Sequence, residues 1–313
     1  MNDMTIPAAT LDRSRFIGGS DTAAVMSVSP WKTPLELWAE KTGRSSQEDD
    51  PAKAKIFARG KRWEPIALEM LIDTLVERGH AVELIETNKR YQDAELPFLA
   101  CEIDAELRLD GEHVNVEIKT VHPFAQKKWG DADTDEVPIE YAAQVMHGLG
   151  ITGRRLCVVG CLIGADNMIP YFVERDNETI EAMRAKCSEF WNVHVLGDTA
   201  PDPLNFQDLK FLFARDNGTA KQADAAIAEM VSELATLQRV LKNTEEQADE
   251  LKFQIQSYME PAAILEYNGQ KLCTWKSQSA TRFDSKAFSA MHPALAEQFK
   301  KTSESRVFRL SIK

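Results

Sequence analysis

The spacing of apolar residues changes period several times along the chain, and each change marks an element. Helical spacing predicts helices over residues 20–26, 33–41, 54–78, 138–149 and 177–195. In the last of these, Ile180, Met183, Cys187, Phe190 and Trp191 share one side. Ser20 or Asp21 can cap the first helix, Pro34 opens the second, and Gly43 and Gly79 lie just past two helix ends. Strand-like runs cover 81–86, 98–108, 113–119, 155–163 and 168–175. In the third run Val114, Val116 and Ile118 alternate with polar neighbours, and Asp110-Gly111 just before it predicts a hairpin turn. Strands interleaved with helices predict an α/β domain around one central sheet, spanning residues 1–204.

The pattern then changes. GDTAPDPLNFQD, with two prolines and three aspartates, suits a linker or peripheral loop. Residues 219–260 contain neither glycine nor proline before Pro261. There Ala223, Ile227, Met230, Leu234, Leu237, Leu241, Thr244, Ala248, Leu251, Ile255 and Tyr258 recur in steps of four and three. This is a heptad seam, suited to an intermolecular coil or to a long amphipathic arm. Asn268-Gly269 predicts a hairpin between 264–267 and 271–276, followed by a helix over 285–300 and a strand over 306–312. Residues 205–313 thus read as a C-terminal extension with a long helix and a small β-containing unit.

Composition adds limits. Hydrophobic residues make up 43% and charged residues 27%, which suits a globular chain rather than a disordered one. The longest apolar run, 156–163, is strand-sized, and the opening residues show no basic start followed by an apolar stretch. A soluble, cytoplasmic protein is therefore expected. The five cysteines form no CxxC pair, which argues against a disulfide scaffold or a structural zinc site, and Cys157 and Cys161 suit core packing. The net charge of −12 does not exclude nucleic acid, because a nuclease needs positive charge only along its DNA path.

The candidate chemistry lies at Asp104 and at Glu117-Ile118-Lys119. Glu117 and Lys119, two apart on a strand, share one face, and Asp104 lies on the preceding hairpin strand. Asp104 and Glu117 offer hard oxygen ligands for Mg²⁺, the carbonyl of Ile118 can complete the shell, and Lys119 can position water and offset phosphate charge. By themselves these residues fit an exposed strand of alternating charge better than a metal site. Glu64, in the basic helical segment RGKRWEPIA, would be a third carboxylate beside a metal, and Gln144 sits on the helix after the hairpin. Neither GxGxxG nor GxxxxGK[ST] occurs, so dinucleotide and P-loop sites have no support. Gly18-Gly19-Ser20-Asp21 before a helix could hold a phosphate or simply cap the helix.

Five segments in order, RFIGGSDTAAVMSVSPWKTPLELWAEKTG, RGKRWEPIA, LACEIDAEL, NVEIKT and EYAAQVMHGLGITG, resemble the YqaJ-type viral recombinase domain. That family is similar to the phage lambda-type alkaline exonucleases within the PD-(D/E)xK, restriction-endonuclease-like fold, which has a mixed central sheet flanked by helices. The resemblance covers about residues 11–195. It implies Asp104 and Glu117 as metal ligands, Lys119 as catalytic lysine, Glu64 and Gln144 as supporting helix residues, and Arg13 and Ser20 as contacts to a terminal 5′-phosphate. It further implies a Mg²⁺-dependent 5′→3′ exonuclease, with Mn²⁺ as substitute, acting on double-stranded DNA ends. By the same resemblance the protein is a homotrimeric ring with a single-strand annealing protein as partner, encoded by phage or prophage in a bacterial host.

Two positions depart from the family pattern: Glu102 stands where a small or hydroxyl residue is usual, and Ala105 where glycine is usual. Glu102 would repel phosphate unless turned away or bound to metal. Two other functions remain open at the level of sequence. One is a nicking or site-specific endonuclease on the same core. The other is a non-catalytic DNA-binding scaffold, for which an intact Asp104, Glu117, Lys119 set would be superfluous.

Overall fold

The computed structural model describes residues 12–45, 51–302 and 304–311, so the opening residues 1–11 lie outside the described ones. The chain divides after Leu209 into two compact units. In the first, α1 (Gly19–Val25), α2 (Pro34–Lys41) and α3 (Pro51–Glu77) precede β1 (Val82–Gln92), β2 (Ala100–Leu109) and β3 (Glu112–Val121). Then come α4 (Ile139–Thr152), β4 (Leu156–Ile163), β5 (Asn167–Glu174) and α5 (Asn177–Glu189).

The five strands form one mixed sheet in sequence order. β1, β2 and β3 are an antiparallel meander; α4 crosses over to place β4 parallel to β3, and β5 returns antiparallel. Asp110 and Gly111 both take positive φ in the β2–β3 turn, as the Asp-Gly pair requires. Each face of the sheet is covered. α3 packs Ala67, Leu71 and Leu75 against Leu107, Val114, Val116, Val158 and Leu162, while α4 packs Val145 and Leu149 against Cys157, Val159 and Cys161. With helices on both sides, all eight residues of β4 are buried, which explains its unbroken apolar run. Gly160 is needed there, because a Cβ would meet Leu71 Cδ2 at 2.9 Å and Ile118 Cδ1 at 3.0 Å.

Two elements differ from the sequence pattern. β1 extends to Gln92, well past residue 86, because pairing from Val82↔Leu109 to Gln92↔Ala100 holds a segment too polar to look like a strand. The helix expected to reach residue 195 ends at Glu189 and widens into a π-helical turn, Phe190–Leu196, where the carbonyl of His194 accepts the Trp38 indole N–H at 2.9 Å.

α6 (Phe206–Leu212), whose sequence spans the division at Leu209, begins where a loop was expected, with the amides of Gln207 and Asp208 bonded to Asn205 Oδ1. The second unit contains α7 (Ala225–Met259), capped by Asp224, and the hairpin of β6 (Ile264–Tyr267) and β7 (Gln270–Thr274). Asn268 and Gly269 make the turn with positive φ. The expected single helix over 285–300 is two, α8 (Ser285–Met291) and α9 (Pro293–Gln298). Pro293 supplies no N–H and drives His292 to φ −131°, ψ 61°, which breaks the helix. The expected strand over 306–312 does not form in residues 306–311, where β6 and β7 pair only with each other; residue 312 lies outside the described ones. Among the described residues no helix is long and apolar enough to cross a membrane.

Candidate active site

β2 and β3 stay paired only from Leu109↔Glu112 to Ala105↔Val116. Past that point the strands separate, and Asp104 bridges the opening by accepting the N–H of Ile118 on Oδ2 at 2.7 Å. The hairpin therefore delivers Asp104 and the Glu117-Ile118-Lys119 segment to one place from strands that no longer bond directly. Ile118 keeps its side chain in the core beneath, in line with Gly160 of β4.

Glu117 Oε1 accepts from Lys119 Nζ at 2.6 Å and from Gln144 Nε2 at 2.6 Å, while Lys119 Nζ also donates to Gln144 Oε1 at 3.1 Å. α4 thus brings Gln144 onto the Glu-Lys pair. One helical turn earlier, the Tyr141 ring lies 4.9 Å from Lys119 Nζ. Burial first, and then the charge of Glu117, push the Asp104 carboxyl up to about 7. For Lys119 burial opposes charge, but Glu117 and Asp104 outweigh it and raise the ammonium above its ordinary range, so it stays protonated.

Glu64, half-buried on α3, is also raised, by burial and then by the charge of Asp104, and it is bonded to Asn88. It senses the site. Yet among the described residues no three His, Cys, Asp or Glu side chains close into a cage for a metal. The donors fit a divalent cation all the same. Two crowded carboxylates, one of them driven toward protonation, are relieved by a hard cation, and Mg²⁺ binds through one or two carboxylates while keeping several waters. Asp104, Glu117 and the Ile118 carbonyl are the groups that would hold it.

Arg13 and Ser20, both exposed, meet at 3.3 Å between Nη2 and Oγ. Their segment is held from below by Lys41, buried on α2, which donates to the Arg13 carbonyl at 2.6 Å and to Asp21 Oδ2 at 2.7 Å. Asp21 in turn accepts the Gly18 N–H, and Lys32 stands 3.6 Å from its other oxygen. α1 lies against α4 where Gly19 faces Gln144, and a Cβ at Gly19 would come within 3.0 Å of Gln144 Cγ. This close approach brings the Arg13–Ser20 segment beside the carboxylate site. Glu102 does not confront it unpaired: it faces Arg90 across the β1–β2 ladder, with Arg90 Nε donating at 2.5 Å.

Sequence patterns missed three features. Glu106 is fully buried and joined to Tyr91, to Arg154 at 2.8 Å and to His113 at 3.1 Å; Arg154 also bonds Asn115, tying β1, β2 and β3 to the end of α4. Lys41 and Tyr141 are the others. Only Tyr141 carried a signal, its three-residue spacing from Gln144 on a helix. Of the histidines, His147 is buried against the Ala100 carbonyl at 2.9 Å, His113 joins Glu106, and His122 caps a 3₁₀ turn.

A five-stranded mixed sheet that opens a hairpin at Asp…Glu-x-Lys, with helices on both faces, is the layout expected of the restriction-endonuclease-like, PD-(D/E)xK class. Within it, the chain belongs to the YqaJ-like viral recombinase family. That domain's profile matches residues 10–155. The chain is also 30% identical over 305 residues to the uncharacterized protein YqaJ of Bacillus subtilis (strain 168), covering 95% of this chain and 92% of that one. Among solved structures it is similar to LHK-Exo, an alkaline exonuclease from Laribacter hongkongensis, at 19% identity over 59% of this chain and 90% of that one, with a TM-score of 0.44. The complex of LHK-Exo with dAMP gives 18% identity, the same coverages and a TM-score of 0.43.

Proposed function

We propose that the protein is a divalent-metal-dependent nuclease that degrades double-stranded DNA from its ends in the 5′→3′ direction, leaving 3′ overhangs for recombination. The observation that carries this reading is the convergence of Asp104, Glu117, Lys119 and Gln144 at the opening of the β2–β3 hairpin, beside an exposed Arg13–Ser20 pair. A cation held by Asp104, Glu117 and the Ile118 carbonyl would supply Lewis-acid polarisation of the phosphate and a more acidic water. Lys119, kept protonated, orients water and offsets charge on the phosphate, while Gln144 fixes the Glu117 and Lys119 side chains. Arg13 offers a planar fork of donors to phosphate oxygens, and the Ser20 hydroxyl adds one more. A terminal 5′-phosphate held there would register the strand end against the carboxylates.

The test is a digestion of linear and covalently closed circular duplex with Mg²⁺, each linear end labelled in turn. The expected result is release of label from 5′-phosphorylated ends, intact circles, and no reaction after chelation. Cleavage of circles would favour an endonuclease, and metal-independent cleavage would defeat the reading.

A further inference from the structure

Trp31 is 60% exposed, yet it is not a loose side chain. Its ring stands 5.8 Å from Tyr141, the residue whose ring lies 4.9 Å from Lys119 Nζ, and Trp129, largely buried, backs Tyr141 from 5.5 Å. The loop that presents it is braced: the N–H groups of Trp31 and Lys32 both donate to Ser29 Oγ at 3.2 Å, and Lys32 pairs with Glu40 at 2.5 Å and with Asp21 at 3.6 Å. A single exposed indole is ordinary, but one held by a braced loop two contacts from a candidate catalytic lysine offers a flat, apolar surface to a ligand at that site.

We propose that Trp31 is a stacking platform for a nucleobase of the substrate, one belonging to a nucleotide beside the scissile phosphate. The proposal rests on the nuclease reading above and adds a subsite to it. A flat aromatic surface suits a nucleobase because every base has a π face, which makes such contacts tolerant of sequence. Lys119 beneath Tyr141 and Arg13 beyond Asp21 both attract the phosphates that flank such a base. Stacking there draws the terminal nucleotides off the duplex and toward the carboxylates, offsetting part of the unpairing cost, with no covalent bond made or broken.

The experiment is a cycle of protein and substrate changes using full-length protein and 5′-phosphorylated duplex. Wild type, Trp31→Ala and Trp31→Phe are compared on intact duplex and on duplex abasic at the first or second nucleotide of the degraded strand. Trp31→Ala is expected to raise KM for intact duplex about tenfold, the range of a lost base–aromatic stack, while Trp31→Phe keeps most of the affinity. On one of the abasic duplexes wild type and Trp31→Ala should become equal, which a purely structural role for Trp31 would not produce. A Trp31→Ala protein that matches wild type on intact duplex, or loses equally on every substrate, would overturn the platform. So would a change in light-scattering mass with no base-dependent effect, which would mark Trp31 as a protein contact. A wild type inactive on all duplexes would instead overturn the nuclease reading, and the platform with it.

Discussion

Replacing Lys41 with methionine keeps its stem and removes its charge. The pair it forms with Asp21 is closed to solvent, each side chain being 3% exposed. Breaking such a pair by removing one partner costs about 3–5 kcal/mol, because the other charge is left buried. Lys32, 3.6 Å from the second oxygen of Asp21, retains part of the compensation, so the lower end applies, about 3 kcal/mol. For a unit of this size that lowers Tm by about 6–12 °C. Tryptophan fluorescence reports it well, since five of the six tryptophans lie before residue 209. The pH dependence has a definite sign. Burial alone would raise the Asp21 pKa, but Lys41 and Lys32 outweigh it and hold the carboxyl below its ordinary range. The stabilisation is therefore present above the ordinary carboxylate pKa and is lost as pH falls through the lower folded value, so the Tm difference between wild type and Lys41→Met should shrink in acid. Because Lys41 also holds the Arg13 carbonyl, the variant should lose discrimination between 5′-phosphate and 5′-hydroxyl ends at temperatures where it is folded. A Tm within about 2 °C of wild type at neutral pH would refute the reasoning.

Two further outcomes follow from the geometry. Glu106→Ala strands Arg154, itself only 8% exposed in its side chain, and should cost about 3–5 kcal/mol in thermal unfolding, whereas Tyr91→Phe removes the hydroxyl's bonds to Glu106 and Arg154 but leaves that ion pair in place, and should cost less, about 2 kcal/mol; equal small effects would mean the network carries no charge stabilisation. A chain ending at Leu212 keeps the bonds of Asp208 to Thr33 and to the Leu204 N–H, and should retain metal-dependent cleavage while losing any contact made by the exposed seam of α7. A folded but wholly inactive chain of unchanged mass would show that the C-terminal unit helps to build the site.

Much of the candidate site's geometry was legible because it is local. Asp110-Gly111 fixes the hairpin turn, and a period of two then puts Glu117 and Lys119 on one face, with Asp104 on the paired strand. The seven-residue spacing of Arg13 and Ser20 likewise bends within one short turn and helix start. What escaped depends on contacts between distant segments. Arg154 reaches Tyr91 across 63 residues, and Lys41 reaches Arg13 across 28, so neither pairing leaves a periodic trace. The far end of β1 was hidden for the opposite reason: its polar residues follow no strand pattern and are held by pairing with β2 and by the side-chain bonds of Arg90 to Glu102 and of Tyr91 to Glu106. In the C-terminal unit the Asn-Gly turn was readable, whereas residues 306–311 form no strand, because β-propensity without a paired edge does not make one.

The most direct measurement of the central claim is the hydrolysis rate of 5′-phosphorylated linear duplex by Lys119→Ala with Mg²⁺, made alongside its DNA affinity and Tm. Lys119 bonds Glu117 and Gln144, and in the proposed mechanism it acts on developing phosphate charge more than on ground-state binding. The account predicts a rate loss of about 10²-fold or more, with DNA binding nearly unchanged. Full activity in a folded Lys119→Ala protein would contradict the assignment of this site as the catalytic centre.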